Sequence, residues 1–355
     1  MKLSQKNYKR VVVKIGASLI YDQKGRLDLA NLNQIVEEVC ILKKSGIEFI
    51  LVSSGAIAIG MSILRFLNRP RELAYLQAAA AVGQNELMNI YRRLFKKAKV
   101  HCAQILLTWE DFHGRKRYLN AKNTLLTLLK LGAVPIINEN DTVSTEEIKF
   151  GDNDRLSALV STLADADLLI ILSDVEGLLD RNNKLVRLVP EINAQLRGLA
   201  SPTDKKTCVG GMITKIAAAG IAVDSGIPCL IASGRKKDVI LSSVRDPASS
   251  GTLFLPKKGY LAARERWLVF GSKPKGKIIV DAGAKNALLN KKSLLCVGIM
   301  RLEGDFQNGD IVCVLDDKKE EFARGKVSLS SQQIEKAKGI RYEKEAIHCD
   351  NIVIL

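Results

Sequence analysis

The feature that most constrains the fold is a series of short apolar runs that are rich in β-branched residues and lack polar alternation. Such runs are typical of strands buried on both faces of a parallel sheet. Amphipathic segments separate several of them, and a strand, a helix and a second strand in this order predict a right-handed crossover. We therefore predict an α/β fold with a mainly parallel sheet sandwiched by helices. The predicted strands are residues 11–15, 49–52, 100–107, 133–137, 168–172 and 228–232, and the predicted helices include 31–45, 71–99 and 118–130.

Polar residues stand where several of these strands should end. Lys14 lies near the end of the first run, Ser54 follows the second, and Asp141 follows the fourth. Because the carboxyl ends of parallel strands meet at one edge of a sheet, we expect these side chains to face a common ligand. An ammonium group at that edge favours a ligand with phosphate groups. The alternatives are a lysine that snorkels from a strand end and a tight turn around Ser54, neither of which binds anything.

Residues 150–160 place a glycine, two carboxylates and an amide just before an apolar helical pattern. We predict that Asn153 or Asp154 caps this helix, whose free N–H groups then face an anion. The alternative is an ordinary turn of Asp, Asn and Gly residues. A calcium loop is disfavoured, because the twelfth position counted from Asp152 is Leu163, where such a loop needs a bidentate carboxylate.

A second glycine pair, Gly210-Gly211, precedes an alanine-rich helical pattern that carries Lys215 in its first turns. Paired glycines at a helix start form a nest of N–H groups for an anion, to which the lysine adds a positive charge. The chain contains no Gly-x-x-x-x-Gly-Lys-Ser/Thr motif, and no Gly-x-Gly-x-x-Gly follows its first strand. A P-loop is therefore excluded, and a dinucleotide-binding domain is disfavoured.

The length of 355 residues exceeds what one hydrophobic core usually supports, so two domains are expected. After Trp267 a polar break at 273–277 is followed by short β-like runs punctuated by glycine, at 277–280, 311–315 and 324–328. We place the boundary near residue 274. This gives a first domain of residues 1–273 and a small β-rich domain of residues 274–355.

The net charge of +16 indicates an anionic partner, either nucleic acid or a small molecule. From residue 273 onward, 15 Lys and Arg oppose 12 Asp and Glu, which leaves +13 on the preceding residues. That part lacks the alternating aromatic and basic residues that single-stranded nucleic acid favours. The charge surplus therefore lies on the first domain, without a nucleic-acid signature.

The seven cysteines are scattered and never spaced as Cys-x-x-Cys, and only three histidines accompany them. Free thiols in a reducing compartment are expected, and no metal site is predicted in the protein. The sequence has no run of about 18 apolar residues and no apolar segment before its first strand. We therefore expect a cytoplasmic protein with no membrane partner.

Together these segments resemble the glutamate 5-kinase family over nearly the whole chain, with an amino acid kinase core followed by a PUA-like domain. The most specific part is Asn138-Glu139-Asn140-Asp141 followed by Phe150-Gly151-Asp152-Asn153-Asp154. The resemblance implies transfer of the γ-phosphoryl group of ATP to the side-chain carboxylate of L-glutamate. The product would be L-glutamyl 5-phosphate, and the reaction the first step of proline biosynthesis. The other segments that carry the resemblance are 13–18, 52–60, 172–174 and 210–215.

The resemblance also implies roles for individual residues. The expected catalytic residues are Lys14, Lys215 and Asp154, the expected glutamate-binding residues are Ser54, Asp141 and Asn153, and the expected ATP-binding residues are Lys14, Ser173, Asp174, Val209, Gly210, Gly211, Met212, Ile213, Thr214 and Lys215. We expect Asp154 to orient the two lysines and Asp141 to bind the substrate ammonium. Mg²⁺ is expected to arrive with ATP, held mostly by phosphate oxygens and water. One departure is Cys208-Val209, where the family usually has Gly-Thr, so a hydroxyl that would contact nucleotide is missing.

A homo-oligomer and feedback inhibition by proline are further implications of the resemblance. For the PUA-like domain we expect a regulatory or assembly role. RNA binding is the alternative there, against which the near-neutral charge of that domain stands. Another alternative is a different member of the superfamily, such as an acetylglutamate kinase or a nucleoside monophosphate kinase. Asp141 argues against an acetylated substrate, because a carboxylate suits a free ammonium group.

Overall fold

The structure is a computed structural model, and the residues that it describes are 8–22, 26–143, 153–199, 211–257, 263–266, 268–269, 272, 274–340 and 342–355. They divide into two compact units. The larger comprises Met1–Asp111 and Arg115–Tyr260, and the smaller comprises Phe112–Gly114 and Leu261–Leu355. The domain boundary near residue 274 stays a prediction.

The larger unit is built on one eight-stranded sheet, in the order β3-β4-β2-β1-β5-β7-β8-β6. Its strands are β1 (Arg10–Ile15), β2 (Glu48–Ser53), β3 (Cys102–Leu107), β4 (Val134–Glu139), β5 (Leu168–Ser173), β6 (Leu188–Val189), β7 (Cys229–Ser233) and β8 (Gly251–Phe254). All pairs are parallel except β7 with β8. The predicted mainly parallel α/β fold is confirmed. Strands β6 and β8 are additions that the sequence did not predict.

Helices cover both faces of this sheet. In this part of the chain the helices are α1 (Leu29–Lys44), α2 (Ala56–Ile63), α3 (Leu73–Lys97), α4 (Trp109–His113), which includes residues of both units, α5 (Arg115–Lys130), α6 (Asn153–Leu163), α7 (Ala194–Gly198), α8 (Met212–Asp224), α9 (Val239–Arg245) and α10 (Pro247–Ser250). Val11, Val13 and Ile15 of β1 join a buried cluster with residues of α1, α3 and α9. Because side chains alternate along a strand, Lys14 points to the opposite face, where α6 lies.

Helices α2 and α3 pack backbone to backbone through two glycines. A Cβ added at Gly83 would overlap the carbonyl oxygen of Ala56, and one added at Gly60 would overlap that of Ala79. The loop that enters α2 contains Gly55 in the left-handed region, at φ 104°. Helix α3 therefore fixes the position of the segment that follows β2.

Gly83→Ala is expected to lower the thermal midpoint and the free energy of unfolding, because overpacking a tight contact typically costs about 1–3 kcal/mol. Gly220→Ala in α8 is the matched control, since nothing lies within 4 Å of a Cβ added there. Because glycine loses more conformational entropy than alanine when a helix forms, Gly220→Ala should be about 0.5–1 kcal/mol more stable than the parent. Equal midpoints for the two variants in thermal unfolding would contradict the close approach of α2 and α3.

The smaller unit has its own five-stranded sheet, in the order β10-β9-β11-β12-β13. Its elements are α11 (Ala263–Arg266), β9 (Gly276–Val280), α12 (Ala282–Leu289), β10 (Ile299–Glu303), β11 (Ile311–Leu315), β12 (Glu321–Lys326), α13 (Ser331–Ala337) and β13 (Ile352–Ile354). A separate buried cluster lines this sheet, with Phe306 among its largest side chains. The predicted β-rich region is confirmed, although the predicted strand 324–328 is β12, which begins and ends earlier.

Two further expectations concern thiols and membranes. The six cysteines within the described ranges are all free, as predicted. Of the helices that the structure describes, none has the length and apolar character needed to cross a bilayer.

Candidate active site

The edge formed by the carboxyl ends of the parallel strands brings several of the predicted residues together. Strand β1 pairs with β2 on one side and with β5 on the other. The chain completes β2, β3 and β4 on the first side before it crosses to β5, so the sheet has a switch point beside β1. Ligands of open α/β sheets bind in the crevice at such a point.

Three charged side chains from distant parts of the chain meet here. Lys14 Nζ lies 2.6 Å from Asp154 Oδ1, and Lys215 Nζ lies 3.2 Å from Asp154 Oδ2. The side chains are almost wholly buried, with 7%, 2% and 6% of Lys14, Asp154 and Lys215 exposed. The Thr214 hydroxyl donates a further hydrogen bond to Asp154 Oδ2 at 2.9 Å. The cluster holds two positive charges against one negative charge, which suits an anionic ligand.

The pKa of Asp154 reflects the same neighbours. Burial by itself raises the pKa of this carboxyl group, but the charges of Lys14 and Lys215 and the hydrogen bonds from Lys14 and Thr214 outweigh it, so the pKa lies below its ordinary value. Asp154 is therefore ionised at neutral pH and holds both ammonium groups by charge.

The first turns of two helices supply these residues side by side. Asp154 is the second residue of α6, while Thr214 and Lys215 lie in the first turn of α8. At the far ends of the same helices, Thr162 Oγ1 donates to Ser225 Oγ at 3.3 Å. The two helices thus run together, with both N-termini at the sheet edge, where their dipoles favour negative charge.

Asn153 forms a second, uncharged cluster next to the lysines. Its Nδ2 lies 2.8 Å from Ser54 Oγ, 2.9 Å from Asn138 Oδ1 and 3.3 Å from Ser53 O, and it shares its two hydrogens among these three acceptors. Helix α6 begins at Asn153 itself, so the prediction that Asn153 or Asp154 caps the helix is wrong. The capping position falls outside the described residues, and both side chains are instead turned into the site.

The residues predicted to bind ATP lie on the β5 and α8 side of the cluster. Ser173 ends β5 and donates through its hydroxyl to Asp174 Oδ1 at 3.1 Å. Gly211 is the capping residue of α8, and its carbonyl oxygen lies 2.9 Å from the Thr214 hydroxyl. Met212 and Ile213 open the helix, with Ile213 exposed. Val209 and Gly210 lie outside the described residues, as does the departure at Cys208-Val209.

Asp141 stands in the turn after β4. Within the described ranges no hydrogen bond or ion pair joins it to Ser54 or Asn153. Burial raises the pKa of Asp141 to about 6, against the lowering effect of the Arg69 charge. A carboxyl group held in this way gains from a cationic partner, because an ammonium group would restore its ionised form.

The sequence predicted no role for the side chains that support the site from α3 and β4. Asn138 Nδ2 donates to Gln84 Oε1 at 2.9 Å, and the Tyr91 hydroxyl lies 2.8 Å from Ser53 Oγ. The sequence did contain an indication of Gln84. The helical spacing places this amide on the same buried apolar face as Leu76, Ala80 and Leu87.

Among the described residues of this edge, the carboxylate of the charged cluster is engaged by protein side chains. Asp154 already has Lys14, Lys215 and Thr214 as partners. The group of possible metal ligands found among the described residues is His348, Cys349 and Asp350 in the smaller unit. Mg²⁺ bound chiefly by ATP fits this arrangement, since that ion keeps water and phosphate ligands.

Each of the two units matches a known protein family. Residues 9–233 match the amino acid kinase family, and residues 276–347 match the PUA domain. The glutamate 5-kinase of Caldanaerobacter subterraneus is 44% identical over 98% of both chains. Those of Pelobacter propionicus and Nitrosospira multiformis are 44% and 45% identical over 98% and 99% of both chains.

Proposed function

The chain belongs to the amino acid kinase family, and on that premise we propose that its active site carries out the reaction of the glutamate 5-kinases. The γ-phosphoryl group of ATP is transferred to the side-chain carboxylate of L-glutamate, which gives L-glutamyl 5-phosphate and opens proline biosynthesis. The observation that carries this proposal is the meeting of Lys14 and Lys215 on Asp154 at the sheet edge.

This reaction needs charge neutralisation more than proton transfer. The acceptor carboxylate has an ordinary pKa of about 4.3 and is already ionised at neutral pH, so no general base is required. The obstacle is the approach of an anion to a triphosphate. Catalysis then depends on in-line positioning and on positive charge around the transferred group. Lys14, Lys215 and the N-termini of α6 and α8 supply that charge.

The remaining residues divide between the two substrates. Ser54 and Asn153 bind glutamate through their polar side chains, and Asp141 pairs with its ammonium group. Ser173, Asp174 and the segment 209–215, including Val209, Gly210, Gly211, Met212, Ile213 and Thr214, bind ATP. Asp154 orients the two lysines and does not itself accept a proton.

Mg²⁺ enters with ATP and offsets part of the phosphate charge when bound. The protein's own contribution is to keep Lys14 and Lys215 fixed and partly desolvated. A cytoplasmic location, a homo-oligomeric state and feedback inhibition by proline are further parts of this proposal, and the last two rest on the family resemblance. For the PUA-like domain, regulation or assembly is preferred to RNA binding.

Trapping the product tests this function. With ATP, Mg²⁺, L-glutamate and hydroxylamine, we expect glutamyl hydroxamate to form together with ADP, because an acyl phosphate reacts with hydroxylamine. N-acetylglutamate serves as the parallel substrate. Preference for N-acetylglutamate, or ADP release without hydroxamate, would contradict the proposal.

A further inference from the structure

We propose that Gln84 of α3 is a positioning residue for glutamate binding, which acts through Asn138 on Asn153. The inference rests on the proposed function, because it assigns glutamate to the Ser54 and Asn153 cluster. It adds a residue some seventy positions away in sequence, on a helix to which no substrate contact is assigned. The three amides form an unbroken buried chain.

The direction of this amide chain is fixed at one end by the backbone. Ser53 O is only an acceptor and lies 3.3 Å from Asn153 Nδ2, so the amino group of Asn153 faces it and shares its two hydrogens among Ser53 O, Ser54 Oγ and Asn138 Oδ1. The same Nδ2 donates to Asn138 Oδ1 at 2.9 Å, so Asn138 must turn its Nδ2 away. That Nδ2 reaches Gln84 Oε1 at 2.9 Å. Each amide therefore sets the orientation of the next.

Because these amides are buried, Asn138 depends on Gln84 for its hydrogen bond. Asn138 is 2% exposed and Gln84 is 9% exposed, so water does not replace a lost partner. Gln84 Nε2 has no hydrogen-bond partner among the described residues. The oxygen of Gln84 is therefore the atom that orients Asn138. Without it Asn138 Nδ2 has no acceptor, the amide can rotate, and an unsatisfied buried donor raises the free energy of this arrangement.

The placement of Gln84 is itself rigid. Its neighbour Gly83 lies against the Ala56 carbonyl, and Tyr91 of the same helix contacts the Ser53 hydroxyl. Helix α3 consequently holds the segment after β2 at one point and the amide chain at another. An amide on this face keeps Asn153 aligned with Ser54, where glutamate is expected to bind.

Steady-state kinetics of Gln84 variants test this proposal in the full-length protein. Gln84→Met keeps the length but removes the acceptor, and we expect the glutamate KM to rise about tenfold or more. The KM for ATP should stay within about threefold. Gln84→Glu keeps an oxygen toward Asn138 and should restore the glutamate KM to within about threefold of the parent. Asn85→Met, an exposed amide on the same helix, is the control and should change neither KM.

Several outcomes would overturn the inference. They are an unchanged glutamate KM in Gln84→Met, an equal rise in both KM values, or a Gln84→Glu variant as impaired as Gln84→Met. A purely structural role would lower the thermal midpoint and the active fraction but leave both KM values alone. If Gln84→Met does not fold, Gln84→Asn carries the same test, because its shorter amide falls short of Asn138.

Failure of the proposed function would look different. In that case the parent protein itself would form no hydroxamate from glutamate. If the parent turns over glutamate and the folded Gln84→Met variant has an unaltered glutamate KM, only the role of Gln84 is rejected.

Discussion

Lys215→Ala is expected to lower kcat about a hundredfold or more, and Lys14→Ala should do the same, because loss of one group that stabilises transition-state charge typically costs this much. Both ammonium groups are held against Asp154 in a buried cluster, at 3.2 Å and 2.6 Å. In such surroundings water does not replace the lost charge. The measurement is kcat at saturating ATP and glutamate, with hydroxamate as the product.

Each of these variants should stay folded, because Asp154 keeps one lysine and the Thr214 hydroxyl. Lys257→Ala is the matched control: this lysine is exposed and forms an ion pair with Asp224 at 3.7 Å. It should leave kcat unchanged. If Lys14→Ala or Lys215→Ala retains kcat within about threefold of the parent, the charge-balancing role is wrong.

The strands and the sheet edge were predictable from local patterns. Buried parallel strands read as continuous apolar runs, which is why 168–172 and 11–15 fall within β5 and β1. Lys14 stood out because a charged residue inside such a run is exceptional. Its approach to Asp154 follows from strand alternation, once α6 is known to cover that face.

The order of the strands was not predictable, because no local signal says which strand lies beside β1. Only the sheet order explains why Lys14 and Lys215, two hundred residues apart, share one carboxylate. Strand β8 was missed because Gly251–Phe254 is short and pairs antiparallel at the far side of the sheet. Gln84 looked like an ordinary polar residue of a long amphipathic helix, since its partner Asn138 is distant in sequence.

The charged cluster and the amide cluster around Asn153 differ in the ligand groups that they can bind. Lys14, Lys215 and Asp154 carry a net positive charge, which attracts phosphate oxygens but does not distinguish one acceptor from another. The neutral amide cluster around Asn153 fixes geometry and adds no charge. Recognition of a free amino acid therefore needs a separate anionic group, and Asp141 is the candidate.

Asp141→Asn is expected to raise the glutamate KM about thirtyfold or more, because removal of one partner of a desolvated charge pair typically costs about 2–5 kcal/mol. The KM for ATP should stay within about threefold. Asp317→Asn, an exposed carboxylate in the smaller unit, is the matched control and should alter neither. An unchanged glutamate KM in Asp141→Asn would remove this residue from the substrate site.

The raised pKa of Asp141 adds a pH dependence that a simple packing role lacks. Burial raises this pKa to about 6, so in the free enzyme the group is protonated below that pH and ionised above it. Only the ionised form pairs with an ammonium group, so kcat/KM for glutamate should fall as pH drops through about 6. The substrate side chain, with a pKa of about 4.3, is still ionised there. In Asp141→Asn this acid inflection should vanish, and an identical inflection in the variant would assign it to another group.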